Sequence, residues 1–183
     1  MDYIEITGYK SIKHQKVEFR NINILIGANG SGKSNFISFF EFLKELQNGN
    51  LQNHIELKGG EDKMLHNGRK ITDTLQFKVE FEQGQNGYDV ILKAGDNGFI
   101  FTKERLIYQQ DRGYDVHSSN REANLKNRGD YRADFIRKYL KGLRKYHFHD
   151  TGSNSPFTKM SHTENDIFYL YEKGDNLAAF LYH

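Results

Sequence analysis

The sequence predicts an α/β fold: strands of a mixed sheet lead through a glycine-rich turn into a helix, and an antiparallel β meander and further helices follow. Three observations predict it. Tyr3–Thr7 and Lys16–Phe19 alternate apolar and polar with period two, and Ile22–Ile26 is more continuously apolar, as in a strand covered on both faces. After Ser34 the apolar spacing changes to Phe36, Phe39, Phe40, Leu43 and Leu46, the interval of a helix that buries one face. From Leu75 to Tyr108 the period-two pattern returns three times between glycine-containing turns.

Residues 1–50 thus hold three strands, the glycine turn and a first helix, which Gly49 is placed to stop. A polar stretch follows, in which Lys58–Lys70 reads as loop or short irregular structure. In the meander, residues 74–110, Leu75, Phe77, Val79 and Phe81 alternate with polar residues. Gln83–Gly87 turns the chain, Tyr88, Val90 and Leu92 alternate again, and Ala94–Gly98 turns it into a third strand, Phe99–Tyr108. Residues 111–130 have little apolar content, which predicts a mobile insertion. Residues 131–183 read as a helix capped by Asp130 with Phe135, Ile136, Tyr139, Leu140 and Leu143 inward, a short strand, a loop around Pro156, and a last helix from about Asn176. That helix shows Leu177, Phe180 and Leu181 on one face over two turns, which predicts exposed apolar surface and self-association.

Composition sets bounds on function. Hydrophobic residues make up 37% of the 183, with 14 Phe and 11 Tyr, enough to build a core. No run approaches the ~20 apolar residues of a membrane span, and the N-terminus lacks the basic start and apolar block of a signal peptide, so a cytoplasmic location is expected. The absence of Cys excludes disulfides and thiolate zinc sites. The net charge of +2 implies no particular partner, but Arg121–Lys145 carries nine basic residues against three acidic ones, a local +6.

The chemistry lies in Gly27-Ala28-Asn29-Gly30-Ser31-Gly32-Lys33-Ser34, which fits the phosphate-loop pattern G-x-x-x-x-G-K-[ST] completely. A loop that wraps phosphates points successive backbone N–H groups inward, and glycine adopts the required conformations at little cost. The helix that follows adds the positive end of its dipole. Lys33 then neutralises β- and γ-phosphate oxygens, and the Ser34 hydroxyl ligates Mg²⁺. The expected ligands are ATP and Mg²⁺.

Tyr3–Phe19 followed by Ile22–Phe36 resembles the N-terminal ATPase lobe of the SMC and RecF group, a branch of the ABC-type ATPases. Tyr9-Lys10-Ser11 matches that group's G-[FY]-[KR]-S turn, and Asn29 to Asn35 match the end of its G-x-N-G-S-G-K-S-N loop. More loosely, Lys145–Phe157 and Gly174–His183 resemble bacterial AAA-family ATP-binding proteins, some of which serve in phage defence. The resemblance implies that Lys10, Ser11 and Asn35 join the nucleotide site, that the meander lies beside it, and that Gln109 or Gln110 meets Mg²⁺. It also implies that the full-length protein pairs two copies of the head around two nucleotides, in a group whose members commonly act on DNA.

Hydrolysis in that group needs an acid after a second apolar strand and a serine-glycine signature, and neither is found after Ser34. The 183 residues are therefore expected to form the first half of an ATPase head, binding ATP without turning it over. The alternatives are a self-contained phosphate-loop kinase or GTPase, which the meander disfavours because such enzymes continue in βαβ units, and a nucleotide-sensing DNA-binding module. The stripe Arg137, Lys138, Lys141, Arg144 and Lys145 reads first as a solvated face and second as a DNA surface. His147, His149 and Asp150 have metal-site spacing without an identifiable third ligand.

Overall fold

The structure is a computed structural model that describes residues 1–109, 112–116, 120–146 and 169–182. It divides into two compact units, Met1–Leu143 and Arg144–His183. The first unit runs β1 (Tyr3–Tyr9), β2 (Ile12–Glu18), α1 (Lys33–Asn48), α2 (Leu51–Leu57), α3 (Glu61–Met64), β3 (Thr74–Phe81), β4 (Asn86–Gly95), β5 (Gly98–Tyr108), β6 (Arg112–Asp115), a 3₁₀ turn (Asn124–Asn127) and α4 (Tyr131–Gly142). The strands form one sheet in the order β2-β1-β3-β4-β5-β6, and every described pairing is antiparallel.

Alternation decides the two faces. Ile4, Val79, Tyr88 and Leu106 form one register row and Ile6, Phe77 and Val90 the next, all buried under α1 and α4. Phe39 of α1 meets Phe77 edge-on at 5.4 Å between ring centroids, and Phe81 meets Tyr139 of α4 at 4.6 Å. On the opposite face one row reads Lys16-Glu5-Lys78-Asp89-Arg105-Asp115, alternating in sign across all six strands. Opposed charges on neighbouring strands stabilise a sheet that faces water.

A bulge in β5 breaks the simple alternation. Ile91 pairs with Lys103 but Leu92 with Phe101, so Thr102 is the extra residue and everything after it changes face. Glu104 thereby enters the core at 1% exposure.

Three segments differ from the expectation. Ile22–Ile26 joins no ladder, and Ile22, Ile24 and Ile26 are at least 78% exposed. An apolar run of this kind settles as a strand only where both faces are covered, and no described strand covers it. The polar stretch after Gly49 forms α2, which buries Leu51 and Ile55, and its Lys58–Lys70 part contains the one-turn α3. The insertion read as mobile carries β6 and the 3₁₀ turn in its described residues, and polar side chains from it and from its neighbours fasten it. Glu104 accepts the N–H groups of Asn124 and Leu125, Glu122 accepts those of Leu51 and Gln52, and the Arg137 guanidinium donates to the carbonyls of Leu125, Lys126 and Arg128.

The second unit contains α5 (Leu177–Tyr182). Asn176 immediately precedes it, with its carbonyl accepting the Phe180 N–H and its side chain accepting the N–H of Tyr171 and donating to the carbonyl of Tyr169. No helix among the described residues is long and apolar enough to cross a membrane.

Two buried phenols link this core to pH. Burial raises the Tyr88 hydroxyl well above its ordinary 10, and the carboxylate of Glu104 beside it adds to the rise. Burial likewise raises Tyr9, against the lowering effect of its hydrogen bond to Ser38. Both shifts favour the protonated form in the folded state, so their contribution is complete below pH 10 and declines above it, by about 1.4 kcal/mol per pH unit and per tyrosine. Alkaline unfolding is expected, with tyrosinate absorbance at 295 nm rising together with loss of the circular dichroism signal. Ionisation of all tyrosines before any structural change would contradict this.

Candidate functional site

The Gly27–Ser34 loop leaves the apolar run and enters α1. Gly30 and Gly32 have φ of 82° and 93°, left-handed values that a side chain resists, and Gly32 is the N-cap of α1. The Ser31 N–H bonds to the Ala28 carbonyl, closing the loop on itself. Lys33 turns back over it, donating to the carbonyls of Gly27 and Ala28 at 2.7 Å each and to Ser31 Oγ at 3.3 Å. The Ser34 hydroxyl is exposed and makes no hydrogen bond among the described residues.

The helix starts of this unit are not equivalent. Glu122 accepts the first N–H groups of α2, α3 carries Glu61 and Asp62 in its first turn, Glu104 accepts at the 3₁₀ turn, and Asp130 caps α4. Among these described starts only α1 has no carboxylate at it, neither a capping side chain, nor an acid in its first turn, nor one reaching it from another element. A helix start left without a carboxylate presents unsatisfied N–H groups and a positive dipole end to a solvent anion.

Beside the loop lies a cleft of about 360 Å³ between the outer edge of β2 and the segment Leu25–Lys33. His14 lines it, held at Nδ1 by the Thr7 hydroxyl at 2.9 Å and with Nε2 3.7 Å from the Glu5 carboxylate. Lys13 and Gln15 line the same wall. Sequence reasoning missed this wall; the available signal was that β2 is polar on nearly every residue, as an edge strand is.

The family model of the AAA ATPase domain matches residues 1–178. The chain belongs to the AAA ATPase domain family. No curated protein matches it. The family makes this an ATP-binding phosphate-loop domain of α/β class, and the loop described above is where that expectation meets the geometry.

The other predicted residues of this AAA ATPase domain divide. Ser11 and Asn35 come together, with Asn35 Nδ2 donating to Ser11 Oγ at 2.8 Å directly beside Gly32. The Lys10 ammonium runs along α1 to Ser38 Oγ at 2.9 Å. Gln109, expected at Mg²⁺, is set apart from the loop. It follows Tyr108, whose partner is Asn86, at the end of the sheet away from Ser11 and four strands from β2. Strand rise and spacing put it on the order of 30 Å away, because antiparallel β5 runs its C-terminal end away from the loop. Gln110, His147, His149 and Asp150 lie outside the described residues.

The basic stripe is divided between the two units. Arg137 is occupied by three carbonyls and by Asp134, while Arg144 and Lys145 belong to the other unit.

Proposed function

We propose that this chain is the ATP-binding lobe of an SMC/RecF-like ATPase, with the amides of Gly27–Lys33 holding the phosphates and Ser34 the Mg²⁺. The observation that supports it best is α1, the helix start without a carboxylate, sitting behind two left-handed glycines and a lysine. Lys33 exchanges its loop carbonyls for phosphate oxygens when the nucleotide enters, and its cleft leaves room at the β2 wall for base and ribose. Mg²⁺, when bound, neutralises charge across the β- and γ-phosphates. In the full-length protein we infer that a second copy completes the site and that hydrolysis drives a change in the pair.

Calorimetry of ATP binding with and without Mg²⁺ tests the reading. Affinity is expected to rise with Mg²⁺ in the wild type and to show no such gain in Ser34→Ala. Mg²⁺-independent affinity shared by both proteins, or no ATP binding at all, would overturn it.

A further inference from the structure

Ser11 lines the cleft beside the loop, and its hydroxyl has two protein contacts there. Its hydroxyl stands against the α-carbon of Gly32, so close that a Cβ there would fall 2.9 Å from Oγ, and it accepts the Asn35 amide at 2.8 Å. One helical turn further, Ser38 Oγ accepts from the Lys10 ammonium at 2.9 Å and shares a hydrogen bond with the Tyr9 hydroxyl at 3.0 Å. Residues 35 and 38 share one face of α1, so the β1-β2 turn grips the first two turns of the helix at two points.

The turn itself is rigidly held. Lys10 takes a left-handed φ of 48°, unusual for a residue with a side chain. It is kept there by its N–H bonding to the Met64 carbonyl at 2.8 Å and its carbonyl meeting His66 Nδ1 at 2.9 Å. Backbone strain persists only where the surroundings over-determine it. A fixed turn is a reference against which the glycine loop can be set.

We propose that Ser11 and Asn35 are positioning residues for the phosphate loop, acting together through Gly32 and not by touching the nucleotide. The Ser11 hydroxyl backs Gly32 while the Asn35 amide fixes that hydroxyl, so the N–H groups of Gly32 and Lys33 keep the direction a phosphate requires. This rests on the proposed ATP site, but its signature is separable from it. Two residues that act as one unit lose their effect together, whereas two independent ligand contacts lose it in product.

The test is a double-mutant cycle on MgATP affinity by calorimetry, with ¹⁵N-NMR of the Gly32 amide in the protein without nucleotide. Ser11→Ala and Asn35→Ala are each expected to weaken binding about fivefold, the effect of one lost hydrogen bond, and the double variant no more than either. Thermal stability stays level because Ser11 is exposed and the pair lies at the surface. The Gly32 amide resonance moves in all three variants. Losses that multiply to roughly twenty-five-fold, unchanged affinity in the single variants, or an unmoved Gly32 resonance would each overturn the proposal. Failure of the wild type to bind ATP would sink the site reading instead, and the Gly32 resonance would still decide the pair.

Discussion

Lys33→Ala is expected to lose about a hundredfold or more in ATP affinity. An ammonium on phosphate oxygens makes charge-assisted hydrogen bonds worth about 1.5–3 kcal/mol each, and two of them give roughly 5 kcal/mol. Against this stand the loop bonds that Lys33 relinquishes, to Gly27 O, Ala28 O and Ser31 Oγ. These are bonds from a cation to neutral acceptors beside water, and replacing them with solvent costs about 2 kcal/mol in all. The difference of about 3 kcal/mol corresponds to roughly two powers of ten. Lys33→Arg keeps the charge but brings a planar fork in place of a compact ammonium, and an intermediate loss is expected. Titration calorimetry at fixed Mg²⁺ measures all three proteins; equal affinity of wild type and Lys33→Ala would remove the lysine from the site.

The loop was legible because its function constrains its letters: glycines where the backbone turns left-handed, lysine and serine where the helix begins. The meander was legible because one face is buried and the other wet, which writes period two into Leu75–Phe81 and Tyr88–Leu92. Ile22–Ile26 misled because an apolar run states what a segment needs, not whether a neighbouring strand supplies it. The position of Gln109 was not legible, because a motif argument places a residue along the chain while antiparallel pairing decides which end of the sheet it reaches. The cap at Asp130 was legible because it stands just before a helical apolar spacing, but the rest of the anchoring was not: Glu104 and Glu122 look like solvated charges until the helix starts they serve are in place. The bulge at Thr102 hid the most consequential of them, since continued alternation from Phe99 and Phe101 would send Glu104 to water.

Glu104→Ala is expected to cost the fold about 3–5 kcal/mol, the largest stability loss of any single carboxylate substitution in the first unit. Its carboxylate is buried at 1% exposure and accepts three donors: the Tyr88 hydroxyl at 2.7 Å, the Leu125 N–H at 2.9 Å and the Asn124 N–H at 3.0 Å. Truncation strands all three, at about 1–3 kcal/mol for each buried donor that water does not reach, and leaves a cavity besides. Glu104→Gln keeps the volume and one acceptor oxygen but turns an amide N–H₂ toward the remaining donor, so a smaller loss of about 1–3 kcal/mol is expected. Glu122→Ala is the control: it too removes a carboxylate from helix N–H groups, but it is only part-buried, and a cap of that kind is worth about 1 kcal/mol. Urea unfolding ranks the three, and a cost for Glu104→Ala no greater than that for Glu122→Ala would mean the buried carboxylate is not what fastens the 3₁₀ turn to β5. Because β5 lies four strands from β2, the folded fraction of Glu104→Gln is expected to bind ATP as the wild type does, which separates loss of fold from loss of site.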